Sequence, residues 1–400
     1  MSVARFSKEG LQRLHDSLTQ YVESGERPGL VTLLSKHGEI HVDAIGKHAF
    51  DSRTPMRRDT IFRIASITKP IVGAVTMRLV EEGKLALDEP IDRLIPELAN
   101  RRVLKHLDGP LDETVPAKRP IRVSDLLTMR MGLGAIMQPG DYPIMKAMMD
   151  TKVFVPFKMP VARNADEWIN RLAALPLMDH PGEVWRYDTS LTLLGALIER
   201  AAGQSLGEAL AERIFEPLGM KDTGFVVPPE KLHRLPASYQ RNPQADVLEV
   251  WDPPGPASFF AKLPGFPGAH GGLVSTVDDY HAFAQMLLDE GQAGNRQVLT
   301  PKSVAAMMSD QVPAAVKAHS PFVPGWWDWH GWGYGGSIIQ EHRRGEPRGF
   351  GWDGGYGTTA YWDRDSGITV IMLSQRLVES PVYPPIFQKF FDGAYAAAQT

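Results

Sequence analysis

The sequence predicts an α/β fold of the α+β kind, split along the chain. Strands from both chain ends build one unit, and a mostly helical segment is inserted between them. Three observations predict it. Near the start, residues 30–35 and 40–46 are apolar runs joined by Lys36-His37-Gly38-Glu39, whose glycine suits a hairpin turn. Near the end, residues 358–363 and 367–374 read as antiparallel strands joined by Arg364-Asp365-Ser366-Gly367. Between them, residues 100–220 are poor in strand signal and rich in helical spacing. The α/β unit is therefore assigned residues 1–85 and 265–400, and the helical insertion with its loops residues 86–264. No repeat and no low-complexity linker divides the chain.

Taken in order, residues 7–23 carry Leu11, Leu14, Leu18 and Val22 at helical spacing. Residues 61–64 are strand-like and lead into Ser66. Residues 67–82 are helical, with Pro70 in the first turn, where a missing N–H matters least, and Gly83 as the stop. Residues 123–133 form a short helix running into a glycine turn. Residues 141–157 are rich in Met and Pro; Met145, Met148, Met149 and the nearby Met159 suit either an adaptable apolar pocket or ordinary core. Residues 164–174 and 191–202 are helices. Gly203-Gln204-Ser205-Leu206-Gly207 matches the Gly-x-Ser-x-Gly nucleophile elbow, but an elbow needs a strand before it. Here a helix precedes, and Ser205 with Glu208 reads as a capping box. Residues 223–262 are loop-like with short strands, and Thr276 caps a helix carrying Phe283, Met286 and Leu287. His270, just before it, either borders a cleft or is structural. Trp326, Trp327, Trp329 and Trp332 suit either a substrate-lining aromatic wall or strand-and-loop packing. Residues 350–357 read as a glycine-rich crossing, and residues 385–398 as a final amphipathic helix.

Composition bounds the function. With 400 residues, 43% hydrophobic and 22% charged, the chain can bury a large core. A net charge of -4 gives no reason to expect nucleic acid or a membrane surface as partner. The absence of cysteine excludes disulfides, thiolate metal sites and cysteine nucleophiles. The first ten residues lack the apolar run of a signal peptide, and no apolar stretch is long enough for a membrane helix, so a cytoplasmic location is expected. The 12 His are scattered and no His-Glu-x-x-His occurs, so neither metal nor cofactor is expected.

The chemistry centres on Ser66 and Lys69. At helical spacing, residues three apart are neighbours on one face. A hydroxyl beside an amine is a nucleophile beside a group that can take its proton. A helix start adds free N–H groups and a positive dipole end, which favour a developing oxyanion. Ser and Lys are common, so the pattern gains weight only from partners. These follow in order: Tyr187-Asp188-Thr189 after Pro181-Gly182, then Trp352-Asp353-Gly354 before a late strand.

With these landmarks the chain resembles the serine beta-lactamase/D-alanyl-D-alanine-peptidase superfamily, on the class C side, close to the family VIII carboxylesterases. Leu126-Leu127-Thr128 with Gly132-Leu133, and Gly271-Gly272-Leu273-Val274-Ser275-Thr276, support it. The resemblance implies a beta-lactamase-like fold, with a central antiparallel sheet flanked by helices. It implies that Ser66 forms an acyl-enzyme. Lys69 would be its neighbour, readied to accept a proton by burial and nearby positive charge. Tyr187 would be a phenolate-like base or relay, and the N–H groups of Ser66 and Gly355 an oxyanion hole. Trp352, Asp353, Gly354 and Thr189 would line the substrate site.

Two departures matter. Thr189 stands where the family's Tyr-x-Asn has Asn, and Trp352-Asp353-Gly354 replaces Lys-Thr-Gly. The cation that would pair with a substrate carboxylate is missing. An aromatic there suits uncharged groups, and Asp353 would discourage anions further if it points inward. The expectation is a serine carboxylesterase acting on small or medium esters. Acyl transfer to an alcohol or amine, beta-lactamase or D-amino-acid peptidase activity, and a non-catalytic scaffold are the alternatives. The last is disfavoured by the presence of Ser66, Lys69 and Tyr187 together.

Overall fold

The computed structural model describes residues 6–155, 162–341, 343–380 and 382–398. Met159 therefore lies outside the described residues. Helix α1 (Lys8–Glu23) is capped by Ser7, whose side chain accepts from the Gly10 N–H. Strands β1 (Gly29–Lys36) and β2 (Glu39–Gly46) pair as a hairpin. Its turn holds His37 at φ 50° and Gly38 at φ 85°. Two successive left-handed residues match the right-handed twist of the flanking strands.

Five strands come from the other end of the chain: β3 (His330–Trp332), β4 (Ser337–Ile339), β5 (Gly349–Gly354), β6 (Thr358–Asp363) and β7 (Ile368–Ser374). The sheet has seven strands in the order β3-β4-β5-β6-β7-β1-β2. The two chain ends meet where β1 pairs antiparallel with β7, Leu33 opposite Ile371.

Helices cover both faces. On one face, Leu14 and Leu18 of α1, and Phe387, Phe390 and Phe391 of α5 (Pro385–Ala397), pack on Leu30, Leu34, Val370 and Met372. On the other, Val31, Leu33, Ile371 and Leu373 meet Ile71 and Val75 of α2 (Thr68–Glu81) and Phe283 and Leu287 of α4 (Val277–Leu288). Successive residues of a strand go to opposite faces. With both faces covered, every residue of β7 is buried, which is why its sequence is a nearly unbroken apolar run. Each buried Phe or Leu contributes roughly 1.5–3 kcal/mol of transfer free energy.

Between α2 and α4 the chain carries helices Val123–Leu127, Pro143–Asp150, Ala165–Ala173 and α3 (Thr189–Ala202). Strand content there is a small ladder, Arg102–Leu104 with Thr114–Pro116, and a hairpin, Ser238–Asn242 with Val247–Asp252. Trp168, Leu193 and Leu197 from this segment join the same core as Ile71 and Val75 of α2. Among the described residues no helix is long and apolar enough to cross a membrane.

Two local expectations have clear outcomes. Gly203 ends α3 at φ 67°; Ser205 Oγ accepts from the Glu208 N–H at 3.3 Å, and Glu208 accepts from the Ser205 N–H at 2.9 Å. That is a capping box and not a nucleophile elbow. Residues 350–357, read as a crossing, are instead mostly strand: β5 pairs with β6, Trp352 opposite Ala360. The glycines misled because they serve close approach. A Cβ on Gly351 would sit 2.1 Å from the Ala360 carbonyl oxygen.

Candidate active site

Ser66 stands at a sharp change of direction. The two-residue strand Phe62–Arg63 is pinned to Val274–Ser275. Ile64 N–H donates to the Leu273 carbonyl at 3.0 Å, and Thr358 Oγ1 donates to the Ile64 carbonyl at 2.9 Å. Ala65 then adopts φ 47°, a left-handed conformation unusual for a residue with a Cβ. A single helical turn, Ala65–Ile67, carries Ser66 into α2. Gly354 makes this bend possible, since a Cβ there would lie 2.5 Å from the Ile64 carbonyl oxygen. Its role beside the cavity is therefore clearance for the turn that carries Ser66. Among the described residues the Ser66 and Gly355 amides donate to no backbone carbonyl outside their own helix or strand.

Lys69, in the first turn of α2, is completely buried. Its Nζ donates to Ser66 Oγ at 2.8 Å, to Asp188 Oδ1 at 3.2 Å and to the His270 carbonyl at 2.5 Å. It also lies 4.7 Å from the centre of the Tyr187 ring. The expected burial is present, but among the described residues no ion pair or contact places the expected cation beside it. The charge beside Lys69 is the Asp188 carboxylate.

Tyr187 and Asp188 come from the segment before α3. Ala135 N–H donates to the Tyr187 carbonyl at 2.9 Å, and Arg186 is ion-paired with Asp179. The Tyr187 ring packs among Trp185, Phe322 and Trp352 at centroid distances of 5.7–5.9 Å. Trp352 Nε1 donates to Tyr187 Oη at 2.7 Å. Trp352 is thus more than an apolar wall, because it places a neutral donor on the tyrosine oxygen.

Thr189, expected to face the substrate, does not line the cavity. It is buried as the first residue of α3. The reason is the backbone at Asp188, with φ 84° and ψ -66°. The turn there aims Asp188 at Lys69 and tucks Thr189 behind it. Sequence reasoning gave Asp188 no role of its own; nothing in the residue string marks a γ-turn.

The site opens on a cavity of about 680 Å³. Its walls are largely apolar, including Ile136, Met145, Met149, Phe322, Trp326 and Trp329. Of the methionines and tryptophans read either way, Met145, Met149, Trp326 and Trp329 face the cavity, whereas Met148 and Trp332 are core. Among the described residues no Lys or Arg lines it. Burial pushes the His330 imidazole down to about 4 and raises the Glu346 carboxyl. His270 also lines the cavity; burial lowers it, the Lys69 charge adds to that, and Asp188 opposes it. Its Nδ1 pairs with Thr192 Oγ1 at 2.9 Å. Asp353 also lines the cavity. Its carboxylate accepts from Tyr361 Oη at 2.9 Å, and burial raises it to about 7. Among the described residues no group of His, Asp and Glu could hold a metal ion.

The chain is similar to known proteins over most of its length. The beta-lactamase family model matches residues 14–387. Protein Rv1367c of Mycobacterium tuberculosis (strain H37Rv) is 36% identical over 366 residues, covering 89% of this chain and 87% of that protein. Esterase EstB of Burkholderia gladioli is 31% identical over 404 residues, covering 96% of this chain and 95% of that protein. Among solved structures, EstCE1, a hydrolase with promiscuous acyltransferase activity, superposes with a TM-score of 0.76 at 24% identity, covering 97% of this chain and 99% of that one.

Proposed function

This chain belongs to the beta-lactamase family, and from that premise we propose that it is a serine carboxylesterase cleaving small or medium carboxylic esters through a Ser66 acyl-enzyme. One observation carries the reading. Ser66, Lys69, Tyr187 and Asp188 converge at an apolar cavity that no Lys or Arg lines among the described residues. The full-length similarity to Esterase EstB supports the same reaction class.

In this reading Ser66 Oγ attacks the ester carbonyl. Its proton leaves to the Lys69–Tyr187 pair, and the carbonyl π electrons move to oxygen. The Ser66 and Gly355 N–H groups receive that oxyanion; one such donor is typically worth about 10²–10³ in kcat. Collapse expels the alkoxide, which takes the proton back and leaves as alcohol. Water then repeats the sequence on the acyl-Ser66 ester and releases the acid.

Beta-lactams and D-alanyl peptides carry a carboxylate, and with Trp352 in place of the family's Lys no Lys or Arg among the described residues lines the cavity to meet it. Acyl transfer remains a second reading, favoured by apolar walls that can seat an alcohol in place of water. Partitioning of the acyl group between water and added alcohols separates the two.

The test is covalent. A fluorophosphonate should label Ser66, and S66A should lose both labelling and p-nitrophenyl ester turnover. An S66A variant that keeps its turnover overturns the reading.

A further inference from the structure

We propose, on the footing of the acyl-enzyme reading, that Asp188 is a positioning residue for acylation. Its carboxylate completes a three-point cage that holds Lys69 as an ammonium against Ser66 Oγ. An ammonium has three N–H donors and no acceptor. Around Nζ stand three acceptors: Ser66 Oγ at 2.8 Å, the His270 carbonyl at 2.5 Å and Asp188 Oδ1 at 3.2 Å. Donors and acceptors match one to one, and the Asp188 contact is an ion pair with a fully buried lysine.

The backbone supplies the independent observation. Asp188 sits at φ 84°, ψ -66°, and the Thr189 N–H donates to the Tyr187 carbonyl at 3.3 Å. This is the positive-φ γ-turn, rare and strained for any residue with a side chain. Glycine would adopt it without penalty. The chain instead keeps a side chain there, and that side chain reaches the one lysine beside the nucleophile.

The groups facing the ammonium are Asp188 and Tyr187 from the segment before α3, His270 from the segment before Val274–Ser275, and Ser66 from the turn before α2. Asp353 and Glu346 lie elsewhere on the cavity wall. A caged ammonium cannot accept the Ser66 proton. Its part is to fix Oγ and to hold positive charge beside it. The acceptor is then Tyr187 in its phenolate form: the Ser66 O–H bond breaks, the proton goes to Tyr187 Oη, and Oγ bonds to the ester carbon. Tyr187 returns the proton to the departing alkoxide.

The experiment compares wild type, D188N and D188G by the pH dependence of kcat/KM for p-nitrophenyl butyrate, the rate of fluorophosphonate labelling, and Tm. Asn keeps the shape and an acceptor but not the charge. Gly removes the side chain at a φ that suits glycine, which relieves the backbone, while both variants leave the buried ammonium without its partner, so Tm is read beside the kinetics to separate a loss of fold from a loss of rate. Both variants should lose about 10²-fold in kcat/KM, chiefly through kcat, as expected for a misplaced reacting group. In D188N the alkaline limb should move to lower pH, because the ammonium has lost its counter-ion. Labelling should slow in parallel. Variants with wild-type kcat/KM and labelling overturn the inference alone. So does a D188N variant that gains rate at neutral pH through a downward shift of the acid limb, since Lys69 would then act as a neutral amine that Asp188 restrains. A wild-type protein that neither labels at Ser66 nor turns over the ester overturns the acyl-enzyme reading itself.

Discussion

Trp352→Phe isolates a single hydrogen bond. Phenylalanine keeps an aromatic ring on β5 but removes the N–H that Trp352 Nε1 donates to Tyr187 Oη at 2.7 Å. The remaining ring contacts, with Tyr187 at 5.7 Å and Trp332 at 4.8 Å, are largely retained. If Tyr187 carries negative charge as the base, that bond is charge-assisted, and such bonds are worth about 1.5–3 kcal/mol. At about 1.4 kcal/mol per tenfold change, kcat/KM should fall by about 10- to 150-fold. The loss should sit on the acid side of the profile, because the bond favours the charged oxygen before it takes the Ser66 proton and touches no substrate. The acid limb of the kcat/KM profile should move to higher pH, since the donor that favoured the charged oxygen is gone. Steady-state turnover of p-nitrophenyl butyrate across pH reads all three quantities, and a thermal melt separates them from a loss of packing. If W352F stays within about twofold of wild type with the limb unmoved, Trp352 is only a wall and the electrostatic argument is wrong.

Three further variants test neighbouring assignments. S205A removes the cap whose Oγ accepts from the Glu208 N–H, so stability should fall by about 1 kcal/mol in chemical denaturation while Ser66 labelling is unchanged; lost labelling would reinstate the Gly-x-Ser-x-Gly serine. T189V replaces a buried hydroxyl that has no hydrogen-bond partner among the described residues, so stability should hold or rise by up to about 1 kcal/mol with ester kinetics intact; impaired kinetics would return Thr189 to the site. D353N probes pH dependence. Burial raises Asp353 from 3.8 to about 7, so the folded state holds a proton that the unfolded chain releases across that window. Wild-type stability therefore falls as pH climbs through it. D353N removes this loss, so it should gain on wild type between about pH 4 and 7, by at most about 4 kcal/mol, and stay level below. Melts showing a pH-independent difference would refute that origin.

Much of the fold is written in local patterns. The β1–β2 hairpin, the apolar run of β7, the caps at Ser7, Ser205 and Thr276, and the stop at Gly83 each follow from side-chain spacing or from one residue's backbone preference. What was illegible depends on distant partners. β5 was hidden because its glycines, elsewhere turn residues, are required by the closeness of β6 and of the Ile64 carbonyl. β3 and β4 are three residues each, too short to show a period. In the site, Ser66 and Lys69 were readable because three residues of one helical turn bring them together. Asp188 was not, because its place beside Lys69 spans 119 positions of sequence and depends on a γ-turn that no residue type announces. The Trp352–Tyr187 bond, 165 positions apart, was invisible for the same reason.

The two departures from the beta-lactamase pattern make sense as one change in electrostatics. The family's Lys-Thr-Gly cation would stand on β5, where this chain has Trp352, and the tyrosine oxygen still receives a donor there, now from a neutral indole. The residue that reaches Lys69 from the tyrosine motif is an anion, Asp188, while Thr189 withdraws into α3. Together these leave the Lys69 charge locally balanced and add no further cation along the described cavity wall. A carboxylate entering this cavity would meet no Lys or Arg on its described wall, and an ion stripped of water without a partner pays several kcal/mol. An uncharged ester faces no such penalty and gains about 25 cal/mol for each Å² of apolar surface it buries against Ile136, Met145 and Phe322. In the proposed reading Ser66 is thus kept as nucleophile while the field around it favours neutral substrates.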